Sequence, residues 1–282
     1  MCESIRVFRN VPLGRYTTFG IGGRARKLIT VCEPEAIAGV VTDRTFIFGG
    51  GSNLLVGDGG VKGDIVRFVS DRAELKPLGG DVYYASGCMR LPLLAKAALE
   101  SSLSGLEWAV GIPGTLGGAV KMNAGAYGSC IGDSLKFADV LIGGKSVRRE
   151  REGLKLSYRS SETGGIVLGA ALKLSKADRE DIAFTMKQNA EKRRATQPLG
   201  KSAGCIYKAH CGIPAYRYIV GAGLVGLRHG DAVVSAKHAN FIVNDGHARA
   251  ADVVYIMDEI ERIVESEYGV RLEREVKLIG DF

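Results

Sequence analysis

A chain of 282 residues with 46% hydrophobic and 24% charged residues has the composition of a globular protein, with length for one large domain or two to three small ones. Its formal net charge of +7 comes from dispersed cations mixed with glutamates, which argues against a nucleic-acid partner. No apolar run approaches the roughly 18 residues of a membrane span and no signal peptide is recognisable, so we expect a cytoplasmic protein without a membrane partner.

The first two thirds of the chain predict a mixture of strands and helices. We expect strands at residues 25–32, 45–48, 64–68, 74–78, 82–85, 137–142 and 166–174. Helices are expected at residues 34–43, opened by Pro34, and at residues 91–102, where apolar residues recur at helical spacing. A charged amphipathic helix is expected at residues 178–196, and Pro198 just after it marks a domain boundary.

The last third predicts a smaller unit of helices and strands. One face of its final helix carries Val253, Ile256, Ile260, Ile263 and Val264. Gly269 stands where a C-cap glycine belongs, and a strand is expected at residues 271–279. Because the elements mix without a regular βαβ repeat, the predicted fold class is α+β.

Residues 221–226 match G-x-G-x-x-G, the dinucleotide-binding fingerprint. That fingerprint requires a strand before it and a helix that opens within it. Here residues 227–231 predict a turn, and residues 232–235 predict a strand. We therefore interpret residues 221–226 as a glycine-rich turn after a short helix.

Glycine supplies 39 of the 282 residues, about twice the usual share of roughly 7%. Residues 111–128 read G-I-P-G-T-L-G-G-A-V-K-M-N-A-G-A-Y-G, too long for a hairpin turn and too apolar for a linker. Residues 49–53, G-G-G-S-N, follow the strand expected at residues 45–48. Glycine lets the backbone approach a ligand with its N–H groups directed at it, so the two segments together predict a site for a large, partly anionic cofactor.

Six cysteines, at positions 2, 32, 88, 130, 205 and 211, show neither a C-x-x-C pair nor the spacing of a disulfide framework. Reduced thiols in a cytoplasm fit this pattern. Cys205, His210 and Cys211 lack a fourth ligand at zinc-like spacing, so we expect no metal ion.

Several motifs in a fixed order carry a resemblance to a known family. They are F-G-G-G-S-N-L-L at 48–55, the glycine segment at 111–128, Y-R-S-S at 158–161, A-G-C-I-Y at 203–207, K-H-A-N-F-I-V-N at 237–244 and R-E-V-K-L-I-G at 274–280. In this order they resemble the UDP-N-acetylenolpyruvoylglucosamine reductases, also called UDP-N-acetylmuramate dehydrogenases, over nearly the whole chain. No insertion supplies the tyrosine-bearing loop of the longer form, so the resemblance is to the shorter, type II form.

The resemblance implies a vanillyl-alcohol-oxidase-like (PCMH-type) FAD-binding fold. Its expected parts are one FAD-binding subdomain at residues 1–68 joined by a strand at 271–282, a second at residues 69–197, and an α+β substrate domain at residues 198–270. It further implies non-covalent FAD, NADPH as reductant and a UDP-sugar substrate. We expect the protein to be a monomer. The implied reaction reduces the enolpyruvyl ether of UDP-N-acetylglucosamine-enolpyruvate to UDP-N-acetylmuramate, in peptidoglycan precursor synthesis.

Three residues match the family's catalytic positions. Cys205 stands at the position of the proton donor, commonly a serine, and a thiol with an ordinary pKa of about 8.5 stays mostly protonated at neutral pH. Arg159 offers a planar cation for a carboxylate or enolate oxygen. Glu275 would stabilise or protonate the enol, which requires a protonated or hydrogen-bonded carboxyl group.

The resemblance also assigns binding residues. The FAD-binding residues would be Gly49, Gly50, Gly51, Ser52, Asn53, Gly111, Thr115, Gly118, Asn123, Ala124 and Gly125. The substrate would contact Tyr158, Lys208 and Asn240. After Lys208 the family usually continues Asn-Pro, whereas this chain has Ala209 and His210. Either His210 replaces the asparagine or it is an exposed turn histidine, and we favour the turn.

Two other functions remain open at this point. One is a different FAD-dependent oxidase or dehydrogenase of the same fold, acting on an alcohol or a hydroxy acid. The other is a nucleotide-binding module without catalysis. Reduction that depends on the enolpyruvyl UDP-sugar would separate all three.

Overall fold

A computed structural model describes residues 4–42 and 44–282, so Cys2 and Asp43, which entered the cysteine and helix predictions, lie outside the described residues. The chain divides into two compact units. The first unit comprises Met1–Phe8, Leu28–Gly50 and Asp64–Arg193, and the second comprises Arg9–Lys27, Gly51–Gly63 and Arg194–Phe282. The three-part division expected from the sequence stays a prediction.

Short elements dominate the chain. The strands are β1 Ile5–Pro12, β2 Arg24–Val31, β3 Thr45–Phe48, β4 Leu54–Val56, β5 Val61–Phe68, β6 Lys76–Gly79, β7 Val82–Ser86, β8 Leu103–Ser104, β9 Gly125–Ala126, β10 Ser129–Cys130, β11 Leu135–Ile142, β12 Lys145–Glu150, β13 Ile166–Lys173, β14 Ser175–Lys176, β15 Arg228–His229, β16 Ala232–Val234, β17 Ile242–Asn244 and β18 Lys277–Ile279. The α-helices are α1 Pro34–Ile37, α2 Leu91–Glu100, α3 Leu116–Met122, α4 Ile131–Ser134, α5 Arg179–Thr196, α6 Ala215–Gly221 and α7 Ala250–Tyr268, and 3-10 turns occur at Leu13–Tyr16, Glu107–Ala109 and Glu152–Leu154.

The first unit is built on a five-stranded antiparallel sheet in the order β12-β11-β13-β7-β6. Strand β13 alternates between two buried faces, and its Ala170 and Leu172 join Leu94 of α2 and Leu116 of α3 in one apolar core. A second sheet has the order β1-β2-β5-β3, with β3 parallel to β5. Helices α2 and α3 thus pack on one face of the larger sheet, and α3 lies within the glycine segment at 111–128.

The second unit packs α6 and α7 with the three-stranded sheet β15-β16-β17, and β4 pairs in parallel with β18. Helix α7 buries its predicted apolar face, including Val253, Ile256 and Ile260. The Asp58 carboxylate accepts hydrogen bonds from the first backbone N–H groups of α7, at 2.9 and 3.0 Å. Gly269, at φ +65°, ends the helix as predicted.

Most predicted elements are confirmed, and two of them are shorter than expected. The helix expected from Pro34 ends at Ile37, and only Lys277–Ile279 of the strand expected at 271–279 is regular. The structure adds α3 inside the glycine segment, where Thr115 caps the helix by accepting the N–H of Gly118. The hairpin β15–β16 follows residues 221–226 and confirms the predicted turn. These residues therefore do not open the helix that a dinucleotide-binding fingerprint requires. Within the described ranges, no helix is both long and apolar enough to cross a membrane.

Candidate functional site

The two glycine segments touch inside the first unit. A Cβ atom on Gly49 would lie 2.3 Å from Oγ1 of Thr115, and one on Gly50 would lie 2.8 Å from the Cα of Gly114. Both distances are far below van der Waals contact, so only glycine permits this approach. The structure therefore brings Gly49 and Gly50 against the start of the second segment.

Helix α3 fixes the far end of that segment. Its last turn stops at Asn123, which has a left-handed backbone at φ +40°. The Asn123 side chain donates to the carbonyl of Ser157 at 2.9 Å and accepts from the N–H of Gly132 at 3.2 Å. Asn123 therefore ties the glycine segment to the turn that follows Ser157.

The end of the segment forms a tight hairpin. Gly125 pairs with Cys130, where an added Cβ would lie 2.6 Å from the Cβ of Cys130. The turn residue Tyr127 has φ +57°, an uncommon conformation for a residue with a side chain. Its hydroxyl is buried and has no hydrogen-bond partner among the described residues. The sequence analysis did not single out Tyr127, because an isolated tyrosine carries no local signal for an unsatisfied hydroxyl.

A cofactor with polar groups fits this first-unit region. The segment supplies a hydroxyl in need of a partner and glycines that bring two backbone segments together. A buried polar group without a hydrogen bond costs roughly 1–3 kcal/mol, which a ligand acceptor or donor would offset. The expected flavin-contacting positions Gly111, Thr115, Gly118, Asn123, Ala124 and Gly125 all belong to this segment.

Tyr158 and Arg159 form the tip of a two-residue turn in the first unit. Ser157 and Ser160 exchange both backbone hydrogen bonds, at 3.0 and 3.2 Å, and so close the turn. Arg159 is half-buried with φ +55°, and its guanidinium lies 5.4 Å from the centre of the exposed Tyr158 ring. A non-glycine residue held in the left-handed region is often found at functional sites.

Two further contacts hold this turn on α3. The Ser161 hydroxyl donates to the carbonyl of Lys121 at 3.0 Å, and the Lys121 ammonium donates to Oγ1 of Thr163 at 3.1 Å. Together with Asn123 these bonds place the predicted arginine turn beside the end of the glycine segment. The periodicity of the sequence contains no signal for these contacts, which join residues about 34 to 42 positions apart.

The second unit holds the other part of the G-G-G-S-N run. Gly51 has φ +62° and its carbonyl accepts the N–H of Thr18 at 3.0 Å. The Asn53 amide donates to the backbone carbonyl of Glu275 at 3.1 Å, and the Asn53 carbonyl accepts the N–H of Lys277 at 3.0 Å. An expected FAD-binding residue thereby contacts the segment that carries an expected catalytic residue.

Cys205 and Glu275 lie on paired backbone segments of the second unit. The N–H of Glu275 donates to the carbonyl of Ile206 at 2.7 Å, and Tyr207 forms an antiparallel bridge with Arg274. Cys205 and Glu275 are both half-buried. This pairing explains why residues 271–276 do not extend β18: their backbone bonds go to the Cys205 segment instead of to a regular strand.

Arg274 fastens this pairing to helix α7. Its guanidinium binds both oxygens of Glu261, at 2.5 and 2.9 Å, and an oxygen of Asp258 at 2.5 Å. A planar guanidinium suits such two-pronged binding of a carboxylate. The side chain of Arg274 is 26% exposed, so this contact is only partly screened by solvent.

Lys208 and Asn240, two expected substrate contacts, already have protein partners. The Lys208 ammonium lies 2.6 Å from a carboxylate oxygen of Glu273. Asn240 is 6% exposed and both ends of its amide bond to the backbone of Tyr207. His210 occupies a tight turn closed by Ile213, as favoured from the sequence, but it is half-buried.

Two family models match parts of this chain. A family model described as "FAD binding domain" matches residues 40–148, a range that contains both glycine segments, residues 49–53 and 111–128. A second model, described as "UDP-N-acetylenolpyruvoylglucosamine reductase, C-terminal domain", matches residues 195–279. That range contains Cys205, Asn240 and Glu275.

Whole-chain relatives carry the same family name. A UDP-N-acetylenolpyruvoylglucosamine reductase 2 of Symbiobacterium thermophilum is 42% identical over 98% of this chain and 92% of its own length. The enzyme of Lachnoclostridium phytofermentans is 40% identical over 98% and 94%. The crystal structure of the reductase from Thermus caldophilus is similar at a TM-score of 0.85, with 40% identity over 97% of this chain and 99% of that one.

These matches confirm the predicted α+β FAD-binding fold and the predicted cofactor, and they do not favour another flavoenzyme of the same fold. FAD is therefore the bound redox group of this oxidoreductase, with NADPH as the reductant. By these motifs, domains and full-length similarities, the chain belongs to the UDP-N-acetylenolpyruvoylglucosamine reductase family.

Proposed function

We propose that this chain reduces the enolpyruvyl ether of UDP-N-acetylglucosamine-enolpyruvate to the lactyl ether of UDP-N-acetylmuramate. The observation that carries the proposal is the backbone pairing of the Cys205 segment with the Glu275 segment. This pairing places a thiol and a carboxyl group, both expected to serve the substrate, on neighbouring backbone. The reaction would supply a precursor of peptidoglycan.

The FAD pyrophosphate would be held by Gly49, Gly50, Gly51, Ser52 and Asn53, and the flavin by residues of the segment from Gly111 to Gly125. The chemistry supplied by bound FAD is relay of a hydride from NADPH to the vinyl carbon of the substrate. The protein's share is to orient the substrate, stabilise negative charge and deliver one proton.

Cys205 would deliver that proton. When hydride adds to the vinyl carbon, the electron pair of the double bond moves to the carbon beside the substrate carboxylate. A new C–H bond then forms there as the S–H bond of Cys205 breaks, and solvent restores the thiol proton. Arg159 would neutralise charge on the carboxylate or enolate oxygens, since its guanidinium is always protonated.

Glu275 would assist at the same carbon. A bare carboxylate would repel the developing negative charge, so Glu275 must act as a protonated or strongly hydrogen-bonded group. Tyr158 and Lys208 would contact the UDP-sugar, with Lys208 exchanging Glu273 for an anionic group of the substrate. We further propose a monomer in the cytoplasm, and the five described cysteines form no disulfide with one another, as reduced thiols would.

The test separates cofactor binding, reduction and turnover. The purified protein should show the absorbance spectrum of bound flavin and should consume NADPH only when the enolpyruvyl UDP-sugar is present. Cys205→Ala should still allow NADPH to bleach the flavin but should not turn over the substrate. NADPH consumption that ignores the UDP-sugar, with rapid reoxidation by oxygen, would support an oxidase instead, and normal turnover by Cys205→Ala would refute the role of the thiol.

A further inference from the structure

The peptide units around Tyr207 are held from one side by a single side chain. Oδ1 of Asn240 accepts the N–H of Tyr207 at 3.0 Å, and Nδ2 of Asn240 donates to the carbonyl of Tyr207 at 2.8 Å. The backbone carbonyl of Asn240 also accepts the N–H of Ile206 at 2.8 Å. Asn240 thus satisfies three backbone groups of the segment that carries Cys205 and Lys208.

The segment that Asn240 binds is not part of a regular strand. Residues 202–209 are irregular, so their backbone groups need partners from elsewhere in the second unit. On the edge facing the chain end, Ile206 accepts the N–H of Glu275 at 2.7 Å, and Lys208 donates to the carbonyl of Glu273 at 2.9 Å. On the other edge, the Asn240 amide supplies partners for both backbone polar groups of Tyr207, as a neighbouring strand would.

The side chain of Tyr207 is buried and bonded at its far end. It is 1% exposed, and its hydroxyl donates to the carbonyl of Met257 in α7 at 2.8 Å. With the ring anchored in the core and the backbone clamped by Asn240, the positions of the residues on either side are fixed. Cys205 lies two residues before Tyr207, and Lys208 lies one residue after it.

Asn240 is itself held in place. It is 6% exposed, and its N–H donates to Nδ1 of His238 at 3.3 Å. The ring of His238 packs against Phe241 and Tyr216, with ring centres 4.8 and 5.5 Å apart. The orientation of the amide follows from its partners, because Tyr207 N–H requires an acceptor and Tyr207 C=O requires a donor.

We propose that Asn240 is a positioning residue that sets the thiol of Cys205 and the ammonium of Lys208 relative to Glu275. This inference rests on the proposed function, in which Cys205 donates the proton. This role differs from a direct substrate contact, because the oxygen and the nitrogen of the Asn240 amide both already bond to protein backbone. The amide is the side chain that suits this task, since one end must accept and the other must donate.

Asn240→Asp is the sharpest variant. It preserves shape and the acceptor for Tyr207 N–H, but it puts a second acceptor against Tyr207 C=O. Asn244→Asp is the matched control, because Asn244 is also 6% exposed and its amide bonds to the backbone of Phe19, Gly246 and Ala248 rather than to the Cys205 segment. Both variants should lose stability to a similar degree, so a purely structural role would affect them alike.

Stopped-flow absorbance measures the two half-reactions separately, namely reduction of the flavin and its reoxidation by the substrate. Flavin reduction by NADPH should keep its wild-type rate in both variants. Reoxidation of the reduced flavin by the enolpyruvyl UDP-sugar without oxygen should slow by about 100-fold in Asn240→Asp, the scale expected when a reacting group is displaced by about 1 Å. The same step should stay near the wild-type rate in Asn244→Asp, and its solvent deuterium isotope effect should rise only in Asn240→Asp.

Other outcomes are equally decisive. Wild-type reoxidation by Asn240→Asp, measured per bound flavin, would overturn the inference, as would an equal slowing in Asn244→Asp. If Asn240→Asp does not fold, Asn240→Ser, whose shorter hydroxyl group cannot make both amide contacts, should also slow reoxidation, and a wild-type rate there would overturn the inference. Normal reoxidation by Cys205→Ala would instead refute the proposed role of the thiol, so the two failures are distinguishable.

Discussion

The N–H of Glu275 donates a hydrogen bond to the carbonyl of Ile206, with 2.7 Å between nitrogen and oxygen. This bond joins the residue after Cys205 to a residue near the end of the chain. It is reinforced by the Tyr207–Arg274 bridge and by the ion pair of Lys208 with Glu273. The geometry at the candidate proton donor therefore depends on contacts across the second unit and not on local sequence alone.

The glycine contact predicts a selective loss of flavin. In Gly50→Ala the new methyl group would meet the backbone of Gly114 at 2.8 Å, so the two glycine segments must separate. We expect a destabilisation of about 1–3 kcal/mol, as for other overpacked sites, together with a lower ratio of flavin to protein absorbance. Thermal unfolding and the absorbance spectrum check both effects.

Gly153→Ala is the control for that substitution. A Cβ at Gly153 meets nothing within 4 Å, and the residue is exposed. Its effect should stay within about 0.5 kcal/mol, with full flavin content. Equal behaviour of the two variants would contradict the argument from close approach.

Replacement of the thiol by a hydroxyl predicts a change in the pH profile. A thiol loses its proton at alkaline pH, with an ordinary pKa of about 8.5, whereas a serine hydroxyl does not ionise in that range. Substrate-dependent reoxidation of the flavin should therefore decline at alkaline pH in the wild-type protein and stay level in Cys205→Ser. The rate of that step, followed by stopped flow across the pH range, is the measurement, and identical profiles would argue against proton donation by Cys205.

The guanidinium contacts of Arg274 with helix α7 predict that its substitution destabilises the protein more than that of Arg262, which lies within the helix. Arg274→Lys keeps the charge but cannot bind both oxygens of Glu261 and also reach Asp258. We expect it to lower the free energy of unfolding by about 1.5–3 kcal/mol, the range of hydrogen bonds to charged groups. Arg262→Lys is the control, because Arg262 is 64% exposed and its ion pair among the described residues is with Glu259, one turn away, so its effect should be near zero. Urea unfolding measures both, and comparable losses would contradict this role.

The buried thiol of Cys88 predicts a pH dependence of stability. Burial raises the pKa of Cys88 from 9.0 to about 11. Below pH 9 the thiol is protonated in both states and contributes nothing. Between pH 9 and 11 the unfolded chain loses the proton while the folded protein keeps it, so the free energy of unfolding falls by about 1.4 kcal/mol per pH unit at most.

Cys88→Ser isolates this contribution, because a serine hydroxyl does not ionise in that range and the other cysteines are unchanged. The difference in the free energy of unfolding between the wild-type protein and Cys88→Ser should be constant below pH 9 and should shift in favour of the serine variant up to pH 11. A difference independent of pH would show that Cys88 ionises alike in both states.

The local patterns of the sequence predict those features that depend on periodicity and on backbone freedom. The strand Thr45–Phe48 has the expected bounds, and helix Ala250–Tyr268 has the expected apolar face and ends at Gly269. The glycine segments and the catalytic motifs point to FAD and to the family. These signals are local because side-chain period and glycine conformation are properties of adjacent residues.

The tertiary structure alone decides which distant groups satisfy one another. Residues 271–276 alternate like a strand, yet their backbone bonds go to Ile206 and Lys208, so the regular strand begins only at Lys277. Asn240 lies in a motif that predicts a substrate contact, yet its amide bonds to the backbone of Tyr207. A buried polar group must find a partner, but which partner it finds depends on how the whole chain packs and not on its neighbours in sequence.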